Sequence, residues 1–429
     1  MTDAPVPLPS GAVPLPSDAD APAPDDPRWK RNVGLFLTGQ LVSLFGSMVV
    51  QYVVMWWVTL ETKSGMAIAL YAVAAFAPQG VVSIFGGVFA DRMNRKRLVI
   101  LADASIAAVT LVLAIVMTLG ITEMWIILLA VAIRSFGAGV QTPTVQALIP
   151  QIVPSEQLMR VNGIFQSVNS AMALLAPAAA AAIFAGFGII PVFYLDVVTA
   201  VIGIGFLLLV SVPTLARTGE ATSYRQDLVE GMRYIWHHAV VRWLLVVFAL
   251  LFLLTVAPSF ITPLLVARTF GEQEWKLAVL EIAFSIGMMI GGALVATLLA
   301  KRSPMRLILV ATYGFALCTV ALGLSPNLWV FYGFMFLFGV GVPLFSTPFT
   351  TLMQQTVEPA KHGRVFSYVG IVMALATPIG MVVFGPLADV ISVQTLLVIA
   401  GIVTVAVISV AIMLPSGRAA IAASQERHH

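Results

Sequence analysis

Residues 86–98 read GGVFADRMNRKRL and place one aspartate and four cationic side chains between two long apolar segments. The chain as a whole is 59% hydrophobic and only 10% charged, with a mean hydropathy of +0.98. A soluble chain of 429 residues would need far more charged residues to cover its surface. The composition therefore predicts an integral membrane protein, in which this charged stretch is a junction between membrane spans.

The apolar runs are long enough to count the spans. A helix that crosses the hydrocarbon core of a bilayer needs about 20 apolar residues. Such runs lie at 33–60, 66–90, 98–119, 124–148, 162–186, 189–211, 241–268, 276–299, 306–324, 328–353, 364–387 and 392–414. The sequence predicts an all-α membrane protein with 12 transmembrane helices in two six-helix bundles.

Polar stretches divide the chain into five parts. We expect a disordered cytoplasmic tail at 1–30, a first bundle at 31–211, a linker at 212–240, a second bundle at 241–415 and a cytoplasmic tail at 416–429. In the linker, apolar residues recur at helical spacing, which predicts an amphipathic helix on the membrane surface. A simple connector fits the linker equally well. The residues concerned are Leu228, Met232, Ile235 and Trp236.

The positions of lysine and arginine predict the orientation. With both termini in the cytoplasm, all but four of the 23 cations fall on the tails or on cytoplasmic junctions. Lys63, Arg268 and Lys276 lie on the opposite face, and Arg134 lies inside a span. Because cytoplasmic loops are enriched in these residues, we expect a multi-pass protein of the plasma membrane with both termini in the cytoplasm.

Several classes of function are excluded by composition. The net charge of +3 is spread over short loops, which fits membrane orientation rather than a nucleic-acid partner. Cys318 is the single cysteine, so no intrachain disulfide or cysteine-based metal site can form. No nucleotide-binding lysine loop and no hydrolase motif is present. We expect no enzyme activity and no cofactor; the expected partners are a small-molecule substrate, protons and membrane lipids, and the chain is expected to be a monomer.

The two halves of the chain repeat each other. The interval from Gln151 to Arg160 recurs, 204 residues later, from Gln355 to Arg364, with a proline-containing loop inside each. The glycine pair of residues 86–87 recurs at 291–292, again before a basic junction. Two parallel six-helix repeats with a binding site between them are typical of secondary transporters.

The opening stretch resembles the signature loop of the major facilitator superfamily, on Gly87, Asp91, Arg92, Arg95 and Lys96. The resemblance covers residues 30–415 and implies the fold predicted above. Asparagine stands at position 94 where the family has glycine, and we expect it in the left-handed conformation that asparagine tolerates. The stretches TPTVQALIPQIVPSEQLMRVNGIFQSV and DLVEGMRYIWHH resemble the macrolide-efflux and siderophore-exporter branch.

This resemblance implies a secondary active exporter of bulky, largely apolar or amphipathic compounds that works by proton antiport and alternating access. Two alternatives stay open: import of a small metabolite on the same fold, and a membrane receptor or scaffold that transports nothing. Asp91 is predicted to latch the cytoplasmic gate by accepting hydrogen bonds from a neighbouring helix start, while the cations pair with it or with lipid phosphates. A pure topology signal explains Arg95 and Lys96 but not Asp91.

Charged residues inside the spans are the candidates for proton coupling, because ionised groups are costly in the bilayer. Arg134 in the fourth span resembles the family's helix-4 arginine and needs a carboxylate, carbonyls or water. Three acids are candidate partners or proton carriers. Asp103 is expected to pair with the cytoplasmic arginines, Asp196 has a structural alternative in a peripheral helix, and Glu281 is a proton site or an interfacial charge near the outer mouth.

The family lines its cavity with the first, fourth, seventh and tenth helices, and polar residues recur there at helical spacing. The predicted substrate-binding residues are Gln40, Ser43, Ser47, Gln51, Gln141, Thr255, Ser259, Thr262, Thr350 and Gln354. The same polar stripes can instead be helix–helix contacts, and both readings stay open. Trp56 is expected to anchor the first span at the membrane interface.

Overall fold

The computed structural model describes residues 28–212, 224–358 and 361–426. Residues 1–27 of the predicted tail and residues 213–223 of the predicted linker lie outside this part. The side chains of residues 84–92 also lie outside it, and with them the predicted gate residues Gly87, Asp91 and Arg92.

Fourteen α-helices and no strand are present in the described part of the chain. They are α1 Trp29–Thr62, α2 Gly65–Arg92, α3 Arg95–Thr118, α4 Met124–Ile152, α5 Leu158–Phe187, α6 Ile190–Leu209, α7 Tyr224–His237, α8 Ala239–Thr269, α9 Glu274–Ala296, α10 Pro304–Gly323, α11 Leu328–Thr356, α12 His362–Val390, α13 Val393–Met413 and α14 Pro415–Glu426. Twelve of them, α1–α6 and α8–α13, are long and apolar enough to cross a membrane. The predicted fold class is confirmed.

The two halves pack by the same pattern. In the first half α1 contacts α5 and α6, α2 contacts α4, and α3 contacts α4 and α6. Each of these pairs has its equivalent in the second half, where α8 contacts α12 and α13, α9 contacts α11, and α10 contacts α11 and α13. Adding seven to a helix number of the first half therefore gives its counterpart, which is the packing expected of a duplicated six-helix unit.

The halves meet mainly through two helix pairs, α2 with α12 and α5 with α9. The described hydrogen bonds and ion pairs between the halves lie near the connections that precede α2 and α9, except for the Ser285 hydroxyl, which donates to the Ala173 carbonyl oxygen at 3.2 Å near the middle of the bundle. The lysine and arginine count predicts that this face lies outside the cell. It is therefore named the predicted outer face. The halves are joined at that face.

Small residues let helices approach closely within each half. A Cβ atom at Gly287 of α9 would overlap the Phe336 carbonyl oxygen of α11, and one at Gly339 of α11 would overlap the Phe284 carbonyl oxygen of α9. Such contacts are a principal source of helix association in lipid, where burial of apolar side chains gives little gain. The α9–α11 pair is therefore held by backbone-to-backbone packing.

A proline break in α2 is repaired from α4. Pro78 lies inside α2 and cannot donate a backbone hydrogen bond. The Ser135 hydroxyl of α4 donates to the Ala75 carbonyl oxygen at 2.6 Å and accepts from the Gln79 amide at 3.0 Å. Ser135 thus satisfies α2 backbone groups inside the membrane and fixes α4 against α2.

Asn94 is not left-handed, and that prediction is wrong. Its backbone is extended, with φ −65° and ψ 113°, and it stands immediately before α3. The Asn94 side-chain oxygen accepts from the Arg97 amide at 3.1 Å. Asparagine is favoured at this position because its side chain caps the first turn of α3. The stability gained from this cap sets the backbone conformation of the turn.

The linker helix α7 packs on the second half. Gly231 lies against the backbone of Arg364 in α12, and the Lys361 ammonium lies 4.6 Å from the centre of the Tyr234 ring. On its other side α7 exposes apolar residues, among them Met232 and Trp236. An exposed apolar side beside charged residues is typical of a helix at a membrane surface.

Replacing Gly287 by leucine tests the backbone packing of α9 on α11. The new side chain would overlap α11, and we expect a loss of stability of about 1–3 kcal/mol from overpacking. Gly292→Leu on the same helix is the matched control, because a Cβ there meets no atom within 4 Å. Thermal unfolding in detergent measures both variants; equal melting temperatures would contradict the packing described here.

Candidate functional site

The Arg134 side chain is buried in the first half and forms an ion pair with Asp196. Arg134 Nη1 lies 2.5 Å from Asp196 Oδ2, and the two side chains are 12% and 1% exposed. The pair joins α4 to α6. A charge at this depth is tolerated when an opposite charge and hydrogen bonds replace its lost hydration.

Two hydroxyl groups complete the surroundings of the Asp196 carboxylate. Ser47 of α1 donates to Oδ1 at 3.1 Å, and Thr110 of α3 donates to Oδ2 at 3.2 Å. Arg134 also donates to the Thr110 hydroxyl. Each oxygen of the carboxylate therefore has a partner, and four helices of the first half, α1, α3, α4 and α6, meet at one polar cluster.

Close packing of α1 on α6 shapes this cluster. A Cβ atom at Gly46 would overlap the Thr199 hydroxyl and would lie 3.1 Å from Asp196 Oδ1. The Ser43 Cβ in turn would be 2.9 Å from a Cβ at Gly203 of α6. Ser43 therefore packs against α6, which fits the helix–helix reading of its polar stripe, and its substrate role stays a prediction.

A second polar layer lies beside the first. Asp103 of α3 is 5% exposed, and its carboxylate lies near the Gln141 side chain of α4. Gln141 Nε2 in turn donates to Gln40 Oε1 at 3.5 Å. We predicted a gate pair between Asp103 and the cytoplasmic arginines, but among the described residues no cation pairs with Asp103. The polar side of α3 faces the polar side of α4 and not the cytoplasmic cations.

Glu281 of α9 differs from the other two acids. Among the described residues it has no ion-pair or hydrogen-bond partner, although it is near enough to Tyr52 of α1 for their charges to interact. Tyr52 and Glu281 belong to different halves. Glu281 is thus an acid without a counter-charge at the boundary between the two bundles.

The remaining predicted substrate residues are in different surroundings. Gln51, Thr350 and Gln354 are exposed, whereas Thr255 and Ser259 are half-buried and donate to carbonyl oxygens of their own helix. Thr262 is fully buried, and no described group bonds its hydroxyl. Trp56 is also fully buried, so its predicted place at the membrane interface is wrong. It packs inside the closed outer part of the bundle.

Two gate cations, Arg95 and Lys96, donate hydrogen bonds to backbone carbonyl oxygens of neighbouring helices. Arg95 Nη1 donates to the Ala147 carbonyl oxygen at 2.9 Å, and Lys96 Nζ donates to the carbonyl oxygens of Leu208 and Val210, both at 2.8 Å. Leu208 and Val210 lie at the end of α6, where carbonyl groups lack helical partners, and Ala147 lies in the last two turns of α4. Arg95 and Lys96 therefore fasten the start of α3 to two neighbouring helices.

Sequence reasoning missed Thr110 and Ser135. Both lie in apolar helices, where an isolated hydroxyl residue is ordinarily bonded to its own helix. Thr110 does bond the Ile106 carbonyl oxygen at 2.8 Å as well as Asp196. The one signal for Ser135 is its position next to Arg134, opposite a helix with an internal proline.

The chain has clear relatives. The pattern of the Major Facilitator Superfamily matches residues 36–381. Over 391 residues the chain is 30% identical to macrolide efflux protein A of Streptococcus pyogenes, which covers 90% of this chain and 96% of that protein. Over 354 residues it is 23% identical to the multidrug efflux pump Tap of Mycolicibacterium fortuitum, with 78% and 83% covered.

Solved structures share the fold. The nucleoside transporter NupG superposes with a TM-score of 0.67 at 16% identity, covering 90% of this chain and 98% of that one. A bacterial homologue of the iron transporter ferroportin in an inward-facing state gives 0.66 at 17% identity, covering 88% and 98%. At these identities the likeness establishes the architecture alone.

Removing one member of the Arg134–Asp196 pair should destabilise the protein more than removing both. Arg134→Met or Asp196→Asn leaves one buried charge unpaired, at a cost of about 3–5 kcal/mol, whereas the double variant leaves none. Thermal unfolding of the single and double variants in detergent measures the coupling between the two residues. Additive effects would show that the two side chains do not act as a pair.

Proposed function

The chain belongs to the Major Facilitator Superfamily and is a membrane transporter rather than an enzyme, and from this premise we propose that it exports bulky, largely apolar or amphipathic compounds of the macrolide type. The observation that carries the proposal is the 30% identity to a macrolide efflux protein along 90% of the chain. The proposed mechanism is proton antiport with alternating access, in the plasma membrane, with both termini in the cytoplasm and the chain acting as a monomer.

An apolar substrate agrees with the aromatic residues near the boundary between the halves. Phe76 of α2 and Phe260 of α8 belong to different halves, and their ring centres are 5.4 Å apart, edge to face. A second stacked group, Phe248, Phe345 and Phe349, is buried in the core of the second half between α8 and α11. Aromatic faces bind large apolar compounds well. Gln51, Thr255, Ser259, Thr350 and Gln354 supply a few polar contacts that orient a compound there.

Proton coupling needs an acid that changes its charge during transport. The Asp196 charge is balanced by Arg134, whereas Glu281 has no cationic partner among the described residues. A lone carboxylate inside a membrane protein is costly, so binding of a proton or of a cation relieves that cost. We assign the proton-exchange role to Glu281. The Arg134–Asp196 pair, with Asp103 beside it, is assigned the role of linking the first bundle to that exchange.

Alternating access agrees with the way the halves meet. They are joined at the predicted outer face, and Arg160 and Asn162, near the opposite end of α5, are exposed. Ser47 and Gln40 hold polar contacts inside the first bundle and move with it as a rigid body. Rocking of the two bundles about the central contacts would then open the cavity to one side at a time.

Replacing Glu281 by glutamine should abolish proton-driven efflux without loss of compound binding. Glutamine keeps the size and polarity of the side chain but cannot exchange a proton, and we expect a fall in transport of about tenfold or more. Efflux of a macrolide and of apolar dyes from everted vesicles, with and without an uncoupler, measures how far efflux depends on the proton gradient. Equilibrium binding measures the affinity for the compound.

Glu274→Gln, at the start of the same helix, is the matched control and should transport normally. Uncoupler-sensitive efflux at the wild-type rate in Glu281→Gln would refute the assigned role. Transport that no uncoupler affects in the unaltered protein would refute proton antiport itself, and accumulation in place of efflux would favour the importer.

Asp91→Asn should slow the transport cycle. The variant removes the negative charge that we propose to latch the cytoplasmic side. A neutral amide binds a helix start less strongly than a carboxylate does, so the latch is weakened. Turnover per molecule in reconstituted vesicles is the measurement. Arg97→Gln, which removes an exposed cation of the same junction, is the control, and equal turnover of both variants with the wild type would contradict the latch.

A further inference from the structure

An aspartate of the second half caps a helix of the first half at the predicted outer face. Asp389, the last residue but one of α12, accepts hydrogen bonds from the start of α2. The Gly65 amide donates to Oδ1 at 2.7 Å, and the Met66 amide and the Ser64 hydroxyl donate to Oδ2 at 2.8 and 2.9 Å. First-turn amides have no partner within their own helix, so Asp389 supplies what α2 lacks.

Arg268 of α8 completes this contact. It donates to Asp389 Oδ1 at 2.7 Å and to the Ala388 carbonyl oxygen at 2.6 Å. It also donates to the Lys63 carbonyl oxygen of the first half, from Nη2 at 2.6 Å and from Nε at 3.0 Å. Lys63 has a φ of 48°, a left-handed conformation that is uncommon for a residue other than glycine. One guanidinium group thus holds both the aspartate and the turn before α2.

The position of Asp389 within α12 does not by itself favour an acidic residue. A negative charge in the last turn lies beside the negative end of the helix dipole, where it is unfavourable. The same charge is favourable at the start of α2, where the dipole is positive. Such an acidic residue is unfavourable in its own helix and stabilising only where it contacts the neighbouring helix. It is therefore expected to serve that contact.

The sequence has a second aspartate at the corresponding position of α2, at the other end of this helix pair. Asp91 is the last residue but one of α2, and both aspartates follow a glycine by four positions, Gly87 in one case and Gly385 in the other. The helices run antiparallel and touch at Gly65 with Gly385, where a Cβ on either residue would overlap the other helix. Each helix therefore has an aspartate as its last residue but one.

We propose that Ser64, Gly65, Met66, Arg268 and Asp389 form an outer latch, which stabilises the state closed at the predicted outer face and must break before that face opens. The inference rests on the proposed alternating access and deepens it. Asp389 and Asp91 then act as opposed positioning residues, each favouring one of the two end states. Because Gly65 and Gly385 are in backbone contact, separating α2 from α12 breaks the latch bonds that cross between the halves in one movement.

The test measures the width of the outer face directly. In a Cys318→Ser background, spin labels at Ile121→Cys and Leu324→Cys mark exposed connections of the two halves at this face. Pulsed electron spin resonance in lipid nanodiscs gives the distribution of distances between them. We expect Asp389→Asn to raise the long-distance fraction about threefold, as loss of a charged helix cap implies. Arg268→Gln should act in the same direction, and Asp91→Asn in the opposite one.

Glu272→Gln is the matched control. It removes the ion pair of Glu272 with Lys63, which joins the halves at the same face but is 58% and 43% exposed and so contributes little. An unchanged distribution in Asp389→Asn and Arg268→Gln would overturn the proposal, and so would an equal shift in Glu272→Gln, which would indicate a general charge effect. The measurement involves no transported compound, so failure of the efflux assays and failure of the outer latch are separate results.

Discussion

Inside a bilayer no water is available, so every polar group must find its partner within the protein. This constraint accounts for the contacts that organise both halves. Ser135 satisfies the backbone of α2 at its proline, and Thr110 and Ser47 complete the shell around Asp196. At the exposed outer end, Asp389 binds the free amides at the start of α2. Several of the described polar residues thus join one helix to another.

The distribution of these contacts explains how the molecule can be rigid and mobile at once. Within each half, small residues bring helices into backbone contact, as at Gly287 and Gly339, and polar bonds fix them there. Between the halves the described bonds are concentrated at one face. Two stiff bundles with a limited set of bonds between them are suited to move as rigid bodies, since little has to break.

Three acids of the same chemical type have different surroundings and therefore different tasks. Asp196 is balanced by an arginine and holds four helices together. Asp389 is balanced by a helix start across the interface between the halves and by an arginine of its own half. Glu281 is balanced by no described cation, and this makes it the acid whose charge is least costly to change. The proposed roles in structure, gating and coupling follow from the partner of each carboxylate and not from its type.

The sequence alone determined the spans, the duplication and the basic junctions, because these depend on composition and spacing along the chain. It also placed Gln40, Ser43 and Ser47 on one side of α1. Only the tertiary structure decided that this side meets α6 and α4, that Trp56 is buried, and that Asp389 reaches α2, since helical periodicity shows which residues share a face but not which distant helix that face meets. Asn94 is a different case, because its conformation is set locally by the helix that it caps.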